Sequence, residues 1–220
     1  MRDLNQKIIK FEHDENLEYN DFFISKSNKH IIDFFEKWPK WEKRFLNISG
    51  EKFSGKTHLI NIFIKKFNGI KFEASLLNNN NIEKTKVYET IILENLTDEI
   101  NEELAYTLFN IIDQQNKYLI ITSINPIVNI NFKLNDLNSR FKDFILQSIE
   151  KPDDELIFAL ILKNLSDRQI SLEKKLINYI IKRIDRSYSK IFEFIYKIDE
   201  MSLKKKKSIN IKSIKEVLGE

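Results

Sequence analysis

The stretch of sequence that decides the fold of this chain is GEKFSGKT, at Gly50–Thr57. It matches G-x-x-x-x-G-K-[S/T] in full, the pattern of a loop that wraps phosphate groups with its backbone N–H groups. The pattern needs glycines where a Cβ would obstruct the loop, and Gly50 and Gly55 stand at those positions. Lys56 is then expected to reach the β- and γ-phosphates, and the Thr57 hydroxyl to bind Mg²⁺. The stretch therefore predicts a site for ADP or ATP with Mg²⁺, formed by Gly50, Ser54, Gly55, Lys56 and Thr57.

The segments around this loop supply the strand and the helix that the pattern requires. The apolar run at 45–48 predicts a buried strand before the loop, and the periodicity of 58–67 predicts an amphipathic helix after it. Further patterns predict strands at 90–93 and 118–122, a helix at 102–115 and a loop at 78–81. Strands that alternate with helices predict an α/β fold, in which helices cover both faces of a parallel sheet.

Helical patterns replace strand patterns in the last third of the chain. Pro152 is followed by three acidic residues, which is typical of a helix start because acids favour the positive end of the helix dipole. Three more helices are predicted, at about 171–183, 187–201 and 211–218. We therefore predict an N-terminal tail at 1–15, an α/β nucleotide-binding domain at 16–150 and a small all-helical lid domain at 151–220.

The composition excludes several classes of protein. With 42% hydrophobic residues over 220 positions, the chain can form one substantial core, or a main domain with a small companion. It has no cysteine, which excludes disulfides and agrees with a reducing cytoplasm. A polar N-terminus and the lack of an apolar run of about 20 residues predict a soluble, cytoplasmic chain without signal peptide or membrane span. In residues 151–220, Lys and Arg outnumber Asp and Glu by 16 to 11, which indicates a solvated face or a surface for nucleic acid.

A phosphate site of this kind also needs an acid at the end of a neighbouring strand, where it helps to hold Mg²⁺. The candidate is Glu94, which directly follows the apolar run at 90–93. The next residue, Asn95, stands where an acid would activate the attacking water, and an amide cannot usefully accept that proton. These two residues predict a site that binds nucleotide but hydrolyses it slowly, if at all.

Four further segments, taken in order with the phosphate loop, resemble the DnaA-like branch of the AAA+ ATPases over nearly the whole chain. They are EYNDFFISKSN at 18–28, YLIITS at 118–123, LNSRF at 137–141 and IDR at 184–186. The first looks like the family segment that cradles adenine, which implies that Phe22, Phe23 and Ile24 lie near the base.

The other three segments carry polar residues with roles in the family. The resemblance implies that Thr122 lies on the sensor 1 strand, beside the nucleotide. It implies that Arg140 is an arginine finger, whose planar fork matches the phosphate oxygens of a nucleotide held by a neighbouring subunit. Arg186 looks like sensor 2, which would touch the phosphates from the lid and report which nucleotide is bound.

A short peptide at 6–11, QKIIKF, resembles the motif Q-x-x-[LI]-x-F by which proteins dock on the bacterial sliding clamp. Gln6 would hydrogen-bond at a polar pocket, while Ile9 and Phe11 would fill an apolar cleft. The chain also stops after the predicted lid helices, without the helix-turn-helix domain by which DnaA initiators bind duplex DNA. These features imply a regulatory adaptor that docks on the DNA polymerase sliding clamp and reaches DNA through it. It would present Arg140 to ATP held by the DnaA initiator, and so limit replication initiation.

Two other interpretations stay open. One is an autonomous AAA+ ATPase of helicase-loader type, which hydrolyses its own nucleotide and acts on single-stranded DNA. The other is a nucleotide-binding DnaA-like module with an unrelated partner. Asn95 argues against the first, and a loader has no need of the peptide at 6–11. The residues leave open the preference between ADP and ATP, contact of the lid with DNA, and self-association into homo-oligomers.

Overall fold

The computed structural model describes residues 22–205 and 209–220. Five strands form one sheet: β1 (Phe45–Ser49), β2 (Gly69–Glu73), β3 (Thr90–Leu96), β4 (Tyr118–Ser123) and β5 (Ile145–Ser148). Their order is β2-β3-β4-β1-β5, and every neighbouring pair is parallel. The strand that leads into the phosphate loop, β1, is therefore flanked by β4 and β5. The three predicted strands are confirmed as β1, β3 and β4.

Helices cover both faces of this sheet. They are α1 (Lys29–Glu36), α2 (Lys56–Phe63), α3 (Asn79–Lys84), α4 (Glu102–Gln114) and α5 (Asn135–Phe141). Successive strand residues point to opposite faces, so β3 sends Ile92 to the core that α1 and α2 share, and Ile91 and Leu93 to the core under α4 and α5. The α/β fold with a parallel sheet covered on both faces is confirmed.

Four helices follow the sheet and form the lid: α6 (Asp154–Asp167), α7 (Lys174–Ile181), α8 (Tyr188–Lys205) and α9 (Ile211–Leu218). They have an apolar core of their own, in which Ile161, Ile177, Ile195 and Ile214 are buried. The first of them begins where the acidic run predicts, because the Asp153 carboxylate caps α6 by accepting the Leu156 N–H at 2.8 Å.

One local prediction is wrong. The asparagine run at 78–81 does not form a loop but starts α3. The Asn78 side chain accepts the Asn81 N–H at 3.0 Å, and the Asn81 side chain accepts the Asn78 N–H at 3.1 Å. This reciprocal cap satisfies two N–H groups that a short helix would otherwise leave open, and so converts a turn-forming composition into a helix start.

The N-terminal peptide with Gln6, Ile9 and Phe11 lies outside the described residues, as does the rest of 1–21. Among the helices that are described, none combines the length and the apolar content that crossing a membrane requires.

Candidate nucleotide-binding site

The phosphate loop joins the end of β1 to the start of α2, and its two glycines are needed for different reasons. Gly55 has a left-handed backbone with φ +93°, and an added Cβ would lie 3.2 Å from Phe22 Cε2. At Gly50 the obstacle is the loop itself, since a Cβ there would lie 2.8 Å from Ser54 Oγ. The loop therefore has the tight curvature that the sequence pattern predicts.

Lys56 is buried at the first position of α2 and folds back over the loop. Its Nζ donates to the carbonyl oxygens of Gly50 at 2.7 Å and Glu51 at 3.0 Å. Burial lowers the pKa of this ammonium, and the charge of the nearby Glu51 carboxylate only partly opposes the shift. An anion held by the loop would favour the charged form again, so the lysine is poised for phosphate. Thr57 is exposed in the same first helical turn, and the buried Ser54 Oγ has no partner among the described residues.

Glu94 lies near the end of β3 with its side chain 8% exposed. One carboxylate oxygen, Oε2, pairs with Lys71 Nζ at 3.1 Å. The other, Oε1, is buried and has no hydrogen-bond partner within the described ranges. Such an oxygen fits a Mg²⁺ site, because Mg²⁺ in nucleotide sites is held by one or two carboxylates together with phosphates.

Asn95 and Thr122 are brought together across the sheet, near the ends of the neighbouring strands β3 and β4. Asn95 has a left-handed backbone with φ +57°, and its N–H donates to Thr122 Oγ1 at 2.9 Å. Its side-chain Nδ2 donates to Glu73 Oε2 at 3.1 Å.

Two residues of this cluster, Lys71 and Glu73, are not predicted from the sequence. Both lie on the edge strand β2, which pairs with β3 so that Glu73 stands opposite Glu94. They could have been predicted only if a strand at 69–73 had been recognised as the neighbour of the predicted strand at 90–93. The half-buried sequence GIKFE has no continuous apolar run to reveal it.

The candidate adenine segment passes beside the phosphate loop. The Phe22 ring meets His58 of α2 edge-on at 5.1 Å between centroids, while Phe23 and Ile24 are exposed. Phe23 lines a cavity of ≈ 520 Å³ that also contacts the lid. The lid residues around it come from α6, from α7 and from the residue that follows α7, and include Phe158, Lys174, Asn178, Ile181 and Lys182.

The lid is hydrogen-bonded directly to the phosphate loop. The Glu51 carboxylate accepts hydrogen bonds from Ser187 Oγ at 2.5 Å, the Tyr188 N–H at 3.0 Å and the Ser189 N–H at 3.1 Å. These groups open α8, so a loop carboxylate caps a lid helix. Burial tends to raise the pKa of Glu51, but the hydrogen bonds from the three groups outweigh it and hold the pKa below its ordinary value.

A second loop residue strengthens this contact. The ring of Phe53 stacks on Phe192 of α8, with 5.0 Å between centroids. Together with the Glu51 cap, it makes the phosphate loop one side of the joint between sheet and lid. This role could not be predicted from the sequence, because the phosphate pattern allows any residue at positions 51 and 53.

The two predicted arginines have partners of their own. Arg186 precedes α8, and its Nη2 pairs with Asp154 Oδ1 of α6 at 2.6 Å. Arg140, on α5, donates to Asn110 Oδ1 and lies over the Tyr106 ring at 5.4 Å, so both of its partners are on α4. Their roles as sensor 2 and arginine finger stay predictions.

The phosphate loop after β1, the strand order β2-β3-β4-β1-β5 and the helical lid define a P-loop protein of the AAA+ class. The family model "Hda, lid domain" matches residues 153–218. Domain III of DnaA from Thermotoga maritima has the same fold, with a TM-score of 0.75 at 18% identity over 93% of this chain and 96% of that one. The chain therefore has the fold of DnaA domain III, and its last third matches the lid of the Hda family.

Other known proteins are similar to this chain over most of its length. An uncharacterised protein of Haemophilus influenzae is 27% identical over 90% of this chain and 91% of its own length. The chromosomal replication initiator DnaA of Buchnera aphidicola subsp. Cinara cedri is 26% identical over 97% of this chain, which spans 55% of that initiator. The AMPPCP-bound DnaA of Aquifex aeolicus has a TM-score of 0.64 at 19% identity, covering 84% of this chain and 66% of that one.

Proposed function

We propose that this chain is a nucleotide-binding regulator of DnaA-type replication initiation, with a role similar to that of Hda. The observation that carries the proposal is the contact between a complete phosphate loop and an Hda-like lid. In this contact the carboxylate of Glu51, in the loop, accepts hydrogen bonds from the first residues of α8, in the lid. A lid fixed to the loop through a carboxylate can respond to whatever anion the loop holds.

The bound nucleotide is ADP or ATP. Lys56 and the backbone of Gly50–Thr57 hold the phosphates, and the cavity beside Phe23 offers an apolar wall for a base. A structural neighbour, the DnaA of Aquifex aeolicus, binds the triphosphate analogue AMPPCP, which supports the same ligand class here. Thr57 and Glu94 would hold Mg²⁺, which when bound neutralises charge on the phosphate oxygens.

The hydrolysed nucleotide is the one held by DnaA, and this chain supplies Arg140 in trans. The amide of Asn95 at the water-activating position supports this division of labour, because it cannot serve as a general base. Arg140 is held on the surface of α4 by Asn110 and Tyr106, so a partner that docks on α4 and α5 would meet an oriented guanidinium. An arginine placed against developing phosphoryl charge raises the rate by orders of magnitude.

The sliding clamp brings the adaptor to DNA. Gln6, Ile9 and Phe11 would anchor the N-terminal peptide in the clamp, leaving the α/β domain and lid free to meet DnaA. The adaptor therefore needs no DNA-binding surface of its own for this role.

The test mixes the purified chain with ATP-loaded DnaA and DNA-loaded clamp and follows ATP hydrolysis. Arg140→Ala should reduce the stimulated rate about 100-fold or more, while nucleotide and clamp binding stay intact. Arg44→Ala is the matched control, since Arg44 also pairs with an α4 residue, Asp113. Gln6→Ala/Phe11→Ala should abolish clamp binding and stimulation but leave nucleotide binding unchanged. Stimulation that survives Arg140→Ala would refute the action in trans.

One observation favours a second candidate, an autonomous ATPase. The Glu73 carboxylate lies 3.1 Å from Asn95 Nδ2, so an acid does stand beside the water-activating position, although it comes from another strand. If Glu73 acts as the base, the isolated chain turns over ATP, and Glu73→Gln removes that turnover while Arg140→Ala does not. A turnover rate near zero in the wild-type chain excludes this candidate.

A further inference from the structure

Lys71 forms an ion pair with Glu94, the acid that is the candidate Mg²⁺ ligand of the phosphate site. Lys71 extends from the edge strand β2, and its Nζ lies 3.1 Å from Glu94 Oε2. The same Nζ donates to Asn61 Oδ1 at 2.7 Å. Asn61 is one helical turn after Thr57 on α2, so the ammonium lies between the metal-binding acid and the helix that carries the metal-binding hydroxyl.

The pair matters because Glu94 is buried. A buried carboxylate is costly unless a cation or several hydrogen bonds compensate its charge. In a Mg²⁺-dependent phosphate site the metal provides this compensation when nucleotide binds. Here Lys71 provides it beforehand, from within the chain, and the phosphates meet a carboxylate whose charge is already balanced.

We propose that Lys71 is a resident cation that makes nucleotide binding by this chain largely independent of Mg²⁺. This inference rests on the proposed nucleotide binding and adds a property of the site to it. Glu94 keeps Oε1 for a metal, so Mg²⁺ can still enter, but its contribution to affinity is small because one of the two oxygens already has a positive partner. Lys71 acts as a positioning residue, through Glu94.

The experiment measures the affinity for AMPPCP by calorimetry, once with Mg²⁺ and once with EDTA, and compares the two. In the wild-type chain the two dissociation constants should agree within about threefold. In Lys71→Met the unbalanced Glu94 repels the phosphates when no metal is present. Affinity in EDTA should therefore fall at least about tenfold, while affinity with Mg²⁺ changes little.

Two variants make the result specific. Lys71→Arg keeps the cation and should keep the wild-type ratio, which separates charge from packing. Lys65→Met removes an exposed lysine just after α2 and should change neither constant.

The inference is overturned if EDTA weakens AMPPCP binding by the wild-type chain more than about tenfold. It is also overturned if the ratio of the dissociation constants in EDTA and in Mg²⁺ is the same for Lys71→Met as for wild type. The first outcome does not need the variant to fold. If AMPPCP and ADP bind under neither condition, the proposed nucleotide binding itself fails and the inference fails with it. A protein that binds AMPPCP only with Mg²⁺ rejects the inference alone.

Discussion

The two halves of the candidate nucleotide site are built in different ways. The phosphate loop is one continuous stretch, in which Gly55, Lys56 and the start of α2 follow each other along the chain. The strand-end cluster is assembled from three separate strands, with Lys71 and Glu73 on β2, Glu94 and Asn95 at the end of β3, and Thr122 on β4. The loop follows its sequence pattern closely, whereas the cluster adds Lys71 beside Glu94 and Glu73 beside Asn95, two residues that the pattern does not include.

This difference indicates where the chain is specialised. Phosphate binding depends on local backbone geometry, which few sequences can provide, so the loop has little freedom. The charge balance around the phosphates depends on which side chains neighbouring strands place together. Such contacts can be changed one residue at a time without disturbing the loop.

The largest expected effect comes from breaking the loop. Lys56→Ala removes the buried ammonium that the loop holds in place, and affinity for ADP or ATP should fall at least about 100-fold. Thermal stabilisation by nucleotide should vanish with it. Lys52→Ala, on the same loop but exposed, is the control and should bind normally. An unchanged melting curve of the wild-type chain with either nucleotide would remove the basis of the proposed function.

A smaller effect is expected at the joint between loop and lid. Glu51→Gln keeps the shape but removes the charge that caps α8, which should cost about 1 kcal/mol of stability in urea unfolding at pH 7. Because the pKa of Glu51 is held low in the folded chain, its contribution is complete at neutral pH and is lost as the pH falls below 4.5, through the folded pKa. The difference between wild type and Glu51→Gln should therefore shrink in acid. A difference that is constant down to pH 3 would contradict the cap; Glu42→Gln, at an exposed site, serves as control.

An effect no larger than that of Glu51→Gln is expected in the strand-end cluster. Asn95 has φ +57°, a conformation that costs an L-residue other than Asn or Asp about 1 kcal/mol and costs glycine nothing. Asn95→Ala should therefore be less stable than Asn95→Gly by about that amount, although both lose the hydrogen bond to Glu73. Equal stabilities in urea unfolding would show that the left-handed turn does not limit this position.

The same contrast explains how much could be predicted from the sequence. The loop, its flanking strand and helix, and Glu94 are recognisable because each depends on residues close together in the chain. The strands β2 and β5 escaped prediction, because one is half-buried throughout and the other has only four residues. Because β2 was not predicted, neither the Lys71–Glu94 ion pair nor the Glu73–Asn95 hydrogen bond could be predicted.

The lid illustrates the same limit. The sequence identifies its helices and suggests Arg186 as the residue that faces the phosphates. In the structure the groups that bind the Glu51 carboxylate are Ser187, Tyr188 and Ser189, because the start of α8 packs against the loop there. No spacing within the lid itself reveals a partner that is more than a hundred residues away.

The joint at Glu51 and Phe53 also sets a limit on exchange between related proteins. Both residues occupy positions that phosphate chemistry leaves free, yet here each has a partner on α8. A phosphate loop transplanted from another P-loop protein would keep its glycines, lysine and threonine and so its grip on nucleotide. It would lose the cap on α8 and the stacking on Phe192, which are the contacts that join the loop to the lid.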